Sequence, residues 1–172
     1  MFVLNCTKKL AKRLPFEFIE DPAQSSNKLG SWSANSFNIG RFPMILFTND
    51  RTLMSVVIPF KEASTFHNRF LESLEVLLHS IALSSREIGP ELAEMTTVQL
   101  TTRINRSILG SMNDFVFHAR ATLYHRPNLT LEELSFQLSG IPCSPLKYGF
   151  PREAALSLFA PPPSRELRFR TN

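Results

Sequence analysis

The chain has few of the residues from which metal sites, disulfide scaffolds and familiar catalytic centres are built. Its 172 residues include only two cysteines, Cys6 and Cys143, which are too few for a zinc quartet or a disulfide framework. The four histidines show no metal-ligand spacing, and no Walker-type phosphate loop is present. The sequence therefore predicts no bound metal and no cofactor, and it identifies no catalytic residue.

Long apolar segments are also absent. No stretch approaches the ~18 apolar residues that a membrane helix needs, and the apolar start of the chain is too short for a secretory signal peptide. Two widely separated thiols are typical of a reducing compartment. We therefore expect a cytoplasmic protein that does not insert into a membrane.

The residues that are present give an aromatic-rich, mildly basic globular composition. Hydrophobic residues make up 43% of the chain and charged residues 20%, and a chain of this length normally forms one domain. The formal net charge of +4 permits an acidic partner such as nucleic acid without requiring one. We expect a single α+β domain over residues 1–159 and a Pro- and Arg-rich tail over residues 160–172.

Hydrophobic periodicity predicts the order of the elements. Residues 32–39, 42–48 and 52–58 are three predicted strands joined by short turns, which is typical of an antiparallel meander. Residues 60–81 repeat apolar positions every three or four residues, as in a long amphipathic helix. The predicted order is β-α-β-β-β-α-α-β-α-α, a mostly antiparallel sheet with helices covering one face. Residues 141–153 are expected to be irregular but ordered.

The most distinctive stretch is Asn105–Asp114, at the predicted start of a helix that runs to about His125. Seven of its ten residues are Asn, Arg, Ser, Asp or Gly. Such residues cap a helix by accepting backbone N–H bonds, Gly110 lets another backbone approach closely, and free helix amides attract anions. The stretch predicts either a structural strand-to-helix corner, which we favour, or a ligand site. The candidate ligand-binding residues are Asn105, Arg106, Ser107, Ser111 and Asn113.

Two earlier segments add further candidates. Lys8 and Lys9 belong to a basic run on a short predicted helix, a pattern that favours a solvated face but also suits contacts with nucleic-acid phosphates. Trp32 offers a flat ring for stacking on a base, with Asn35 as its polar neighbour on the same strand. A partly buried core position is the favoured interpretation for this tryptophan.

Three segments, taken together and in this order, resemble a known family. They are Asn5–Leu10, Leu29–Asn35 and Asn105–Asp114, and together they resemble the bacterial domain-of-unknown-function family 6933. The resemblance spans roughly residues 2–125, and residues 147–152 extend it. It implies no established activity and no catalytic residues, while the plasmid associations of the family imply a mobile-element or toxin–antitoxin setting.

Two functions remain open from the sequence. The favoured one is a non-catalytic binding or interaction module whose partner is nucleic acid or a protein. The alternative is a nucleotide- or RNA-directed hydrolase or transferase with a polar site at the start of the 105–125 helix. Asp114 and His118, four residues apart, suit a catalytic base with its orienting partner, although a surface pair is commoner. The enzyme hypothesis requires Trp32, Asn35 and Asn113 to meet in one pocket.

Overall fold

A computed structural model describes residues 1–162, so most of the predicted tail, residues 163–172, lies outside the described part of the chain. The predicted order of elements is confirmed, and one further helix follows it, whose first three residues lie in the segment 141–153 that we expected to be irregular. Pro151 begins that helix, at a position where its missing N–H is tolerated. In chain order the elements are β1 (Phe2–Cys6), α1 (Lys8–Ala11), β2 (Trp32–Ile39), β3 (Phe42–Asn49), β4 (Ser55–Pro59), α2 (Phe66–Ser80), α3 (Ser85–Glu94), β5 (Val98–Thr101), α4 (Arg106–His125), α5 (Leu131–Leu138) and α6 (Pro151–Phe159).

The five strands form one mixed sheet in the order β4-β3-β2-β1-β5. The predicted meander is confirmed, since β2 pairs with β3 and β3 with β4, both antiparallel. Strand β1 lies between β2 and β5 and pairs with both of them in parallel. The two antiparallel pairings are longer than the two parallel ones, so the sheet is mostly antiparallel, as predicted, with a parallel part centred on β1.

Helices cover both faces of the sheet, which corrects our prediction of one covered face. On the first face, Phe47 of β3 stacks on Phe70 of α2 with ring centroids 4.2 Å apart, and α1, α3 and α6 complete that core. On the second face, Leu46 of β3 packs with Met112 and Phe115 of α4 and with α5. Side chains alternate across a strand, so consecutive apolar residues in β3 require cover on both sides. We call the second side the α4 face.

The two ends of the α4 face of the sheet differ in the element that covers them and in polarity. Helix α4 packs on β2 and β3, whereas β1 and β5 carry polar Asn5, Gln99 and Thr101 on this side. The long loop between α1 and β2 covers this end: Ile19 N donates to Leu100 O at 2.7 Å, and Ala23 N donates to Gln99 Oε1 at 2.8 Å. A polar strip of sheet therefore lies beside the start of α4.

The end of that loop is fixed by Glu91 of α3. This carboxylate is only 4% exposed, and it accepts hydrogen bonds from Asn27 Nδ2, Lys28 N and Leu29 N at 2.8–2.9 Å. A buried charge needs such donors to offset the loss of water. The bonds hold the chain in place just before β2, where the candidate site begins.

Within residues 1–162, no helix is both long and apolar enough to cross a lipid bilayer.

Candidate functional site

Three neighbouring depressions lie along the α4 face. The largest, about 520 Å³, lies between α4 and residues 141–148, and we call it the α4 cleft. A central pocket of about 400 Å³ lies between the β3–β4 turn and the start of α4, and a β1 pocket of about 240 Å³ lies beside Val3 and Asn5. The cleft and the central pocket share Ser107 as a wall residue, and the central and β1 pockets share Arg51. We call the row of three the motif groove, because each of the three distinctive sequence segments contributes to it.

Asp50 joins the elements that form the groove. Its Oδ2 accepts hydrogen bonds from Asn5 Nδ2 of β1 at 3.0 Å and from Ser31 Oγ at 2.6 Å, and its Oδ1 accepts one from Ser33 Oγ of β2 at 2.7 Å. Hydrogen bonds to a carboxylate are stronger than neutral ones. One side chain thus holds β1, β2 and the end of β3 together below the groove.

The turn that carries Asp50 is shaped by its neighbour Asn49, which is fully buried. Asn49 Oδ1 accepts from Arg51 N at 3.1 Å and from Thr52 N at 2.9 Å, while Nδ2 donates to Leu29 O at 2.9 Å. Asn side chains commonly replace backbone groups in such turns. The arrangement fixes the position of Arg51, which lines both the central pocket and the β1 pocket.

The beginning of α4 has a clear structural role. Asn105 is the N-cap, and its Oδ1 accepts from Ser107 N at 2.7 Å. Gly110 differs from our expectation, because a Cβ built there meets no atom within 4 Å. The glycine therefore does not permit a close backbone contact; it leaves open space in the α4 cleft, which it lines.

The α4 cleft has one polar helical wall and one loop wall. Ser107, Ser111, Asp114 and His118 line it at spacings of four, three and four residues, so they share one face of α4. Opposite them, Tyr148 lies on the loop and is 74% exposed.

The loop backbone is unusual at that point, since Lys147 and Tyr148 have φ of 53° and 61°. Residues with side chains rarely adopt this left-handed conformation. Two backbone hydrogen bonds hold it: Cys143 N donates to Gly149 O at 3.1 Å, and Tyr148 N donates to Cys143 O at 2.9 Å. The fold therefore maintains a strained segment that presents an aromatic ring at the mouth of the cleft.

The two cysteines are poor nucleophiles in this fold. Burial raises the pKa of the Cys6 thiol to about 12. Burial, and secondly the negative charge of Asp114, also raise the pKa of the Cys143 thiol. Since the thiolate is the reactive form, both thiols are protonated and unreactive near neutral pH, although Cys143 lines the cleft.

Trp32 must be removed from the candidate ligand-binding residues. Its side chain is 0% exposed and packs edge-on against Phe70 of α2, with ring centroids 5.1 Å apart. It lies on the face of the sheet opposite α4. A ring with no open surface cannot stack on a ligand, so the favoured core interpretation describes it better.

The remaining candidates separate into three groups. Asn105, Ser107 and Ser111 line the motif groove. Arg106 and Asn113 are exposed on α4 but do not line a wall of the groove, and Lys8 and Lys9 are exposed on α1. Asn35 has a structural contact, because its Oδ1 accepts from Thr7 Oγ1, the N-cap side chain of α1, at 2.8 Å. The structure thus does not bring Trp32, Asn35 and Asn113 into one pocket.

Several residues of the groove were not among our candidates. Asn5 and Ser31 lie in the distinctive segments, so the sequence could have identified them as candidates. Asp50 and Arg51 follow a predicted strand in a short turn, and their sequence indicates only that turn. Tyr148 follows an irregular Pro-containing stretch with no periodic pattern. Among residues 1–162, no group of three or more His, Cys, Asp or Glu side chains is placed to hold a metal ion.

Comparison with known proteins gives one match. A search of curated proteins and a search of solved structures each found no match. A family model described as "Domain of unknown function (DUF6933)" matches residues 3–154, a range that contains β1 except Phe2, all of the groove and the first four residues of α6. Because the match covers most of the chain, this protein belongs to the DUF6933 family.

Proposed function

We propose that the protein is a non-catalytic binding module that holds a single-stranded nucleic acid along the motif groove. The observation that carries the proposal is Tyr148, an exposed aromatic ring at the mouth of a polar groove. Aromatic side chains that stack on bases contribute about 1–3 kcal/mol per base. The left-handed backbone at Tyr148 costs about 1–2 kcal/mol, and a ligand contact gives a functional reason for keeping such strain.

Positive charge beside the groove supports the same ligand. Arg51 lines two of the pockets, and two cations that do not line the groove precede residues that do: Arg106, the first residue of α4, precedes Ser107, and Lys147 precedes Tyr148. All three side chains are exposed. Cations spaced beside an aromatic ring match the alternation of phosphates and bases in a single strand.

A protein partner is the less favoured ligand. Interfaces between proteins usually have a desolvated apolar centre, whereas the helical wall of the α4 cleft carries the polar residues Ser107, Ser111, Asp114 and His118. Hydroxyl, carboxylate and imidazole groups on α4 suit the polar edges of unpaired bases, which single strands leave accessible.

The test is a titration of fluorescein-labelled dT12 and rU12 by anisotropy at several salt concentrations. If three cations neutralise three phosphates, the logarithm of the affinity should fall with the logarithm of salt with a slope of about −2. Tyr148→Ala should weaken binding about tenfold, whereas Tyr148→Phe, which keeps the ring, should bind like the wild type.

Charge variants locate the bound strand. Arg106→Ala should reduce the magnitude of the slope by about 0.7, and Lys9→Ala, a matched exposed cation on α1, should leave the slope unchanged. A wild-type protein that does not bind at low salt, or that binds independently of salt, contradicts the proposal. Loss of binding in Lys9→Ala but not in Arg106→Ala would place the ligand on α1 instead.

The enzyme hypothesis is kept as the second candidate because of one observation. Asp114 and His118 share a cleft wall with Ser107 and Ser111, so a base and hydroxyl groups face the same space. Incubating labelled rU12 and ATP with the wild type and with His118→Ala tests it. Cleavage or group transfer that requires His118 supports an enzyme, and unchanged substrates support the binding module.

The cellular setting is also a proposal. Two free, buried thiols are consistent with a cytoplasmic location. A mobile-element or toxin–antitoxin role is suggested by the family resemblance, and a single-strand binding module is compatible with it. Co-purification of the tagged protein from its native host, with sequencing of the bound nucleic acid, would test this setting.

A further inference from the structure

We infer that the α4 cleft is a base-reading pocket selective for guanine, with the Asp114 carboxylate as the group that reads the base. This inference rests on the proposed function and adds sequence preference to it. The proposed function requires only phosphate contacts and stacking, neither of which distinguishes one base from another.

The cleft has the size and the walls that a single base needs. Its volume of about 520 Å³ lies within the range of pockets that hold small ligands, about 300–1,000 Å³. Tyr148, Ile141 and Pro142 supply a flat and apolar side, and the buried Phe115 lies on the α4 side. A base that enters from the mouth can stack on these groups while its edge faces the polar residues of α4.

The middle two of the four polar residues on this wall of α4, Ser111 and Asp114, offer a donor followed by two acceptors. Ser111 and Asp114 are three residues apart, so their Cβ atoms are about 5–6 Å apart on one face of the helix. A serine hydroxyl can donate one hydrogen bond as well as accept, whereas an ionised carboxylate only accepts, through two oxygens.

Guanine is the base whose pairing edge complements that row. Its edge presents the O6 acceptor, then the N1–H donor, then the N2 amino donor. Adenine and cytosine place a ring acceptor beside their single amino group, and uracil and thymine offer one N–H between two carbonyls. Only guanine can donate two adjacent N–H bonds to one carboxylate, while Ser111 Oγ donates to its O6.

Asp114 is available for this role. It is exposed, and it takes part in neither of the two ion pairs found within residues 1–162. Asp50, the other groove carboxylate, already accepts three internal hydrogen bonds. The Cys143 thiol across the cleft is uncharged, because burial and Asp114 raise its pKa, so no second anion opposes a base in this position.

The experiment compares dT12 probes that carry one central dG or one central deoxyinosine. Inosine keeps O6 and N1–H and lacks only the amino group, so it is a matched probe for one of the two bonds to Asp114. The wild type should bind the guanine probe about tenfold more tightly than the inosine probe, the ratio typical of one well-formed base contact. Asp114→Asn should reduce this ratio to below twofold, and Asn113→Ala, an exposed neighbour on α4, should keep it.

A second readout separates this inference from the proposed function. Guanosine and inosine monophosphates are titrated separately, and the backbone amide shifts of Ser111, Asp114 and Tyr148 are followed by NMR. Selective guanosine binding in the cleft without dT12 binding would keep the base pocket and overturn the strand-binding function. Binding of dT12, together with equal affinity for the guanine and inosine probes, would keep the strand-binding function and overturn the base pocket. A guanine preference that persists in Asp114→Asn overturns the inference, and a lack of binding to any probe overturns both.

Discussion

Replacing Asp50 by Ala removes the carboxylate that joins β1, β2 and the end of β3. Three hydrogen bonds are lost, with lengths of 2.6, 2.7 and 3.0 Å. Hydrogen bonds to a charged group contribute about 1.5–3 kcal/mol each, but the three donors are not equally affected by the loss.

The expected free-energy change follows from what each donor can do afterwards. Asn5 Nδ2 keeps a second acceptor, Trp32 O at 3.3 Å, and Ser31 is only half-buried, so its hydroxyl can bond to water. Ser33 is 1% exposed and is left without an acceptor, which costs about 1–3 kcal/mol by itself. We therefore expect Asp50→Ala to lower the free energy of unfolding by about 3 kcal/mol. This is well below the summed contribution of three hydrogen bonds to a charged group.

Urea unfolding followed by circular dichroism measures this change. With a slope near 2 kcal/mol per M, the midpoint should fall by about 1.5 M. A double-mutant cycle with Ser33→Ala isolates the bond between the two side chains, and we expect a coupling energy of about 1–2 kcal/mol. A loss below about 1 kcal/mol, or a coupling energy near zero, would refute the assignment of Asp50 as the residue that ties these elements together.

Two further predictions concern stability. Gly110→Ala should raise the free energy of unfolding by about 0.5–1 kcal/mol, because the position is inside α4 and its Cβ meets no atom within 4 Å. Gly149→Ala is the contrasting control, since its Cβ would lie 3.0 Å from Leu146 O, and urea unfolding should show a loss. Burial lowers the pKa of His67 from its ordinary value of 6.5, and the hydrogen bond to Met95 O opposes this effect only in part. The unfolded chain therefore binds more protons, so stability should decrease as the pH falls through about 6.5; His67→Gln should flatten that part of the profile, and an equal pH slope in both proteins would contradict the assignment.

Much of the fold was predictable because local signals and tertiary packing agree. Strand β2 has the bounds that alternation predicts, and Thr130 and Glu133, whose spacing is that of a capping box, cap α5 by reciprocal hydrogen bonds. Helix α6 was not predicted, since Pro142 and Pro145 precede it, Pro151 begins it, and its apolar residues match a core that forms only when the sheet is complete.

The candidate site was less predictable, because its residues meet only through tertiary structure. Asn5 and Asp50 are 45 positions apart, and their contact exists because β1 pairs with β2 and β2 with β3. Trp32 shows the opposite case: a residue with a conspicuous chemistry lies in the core because its position in β2 faces α2. The composition of a segment indicated where polar residues are concentrated along the chain. The face of the sheet on which each side chain lies determines which of them a ligand can contact.

The central claim, that the motif groove holds a single-stranded nucleic acid, is tested most directly by mapping amide chemical shifts in the ¹⁵N-labelled protein during titration with dT12. The largest changes should cluster at Arg51, Ser107, Gly110, Ser111 and Tyr148, and the changes at the cleft residues Ser107, Ser111 and Tyr148 should weaken in Gly110→Leu, whose side chain would project into the cleft. Changes that cluster at Lys8 and Lys9 on α1, or the absence of changes at low salt, would contradict the claim.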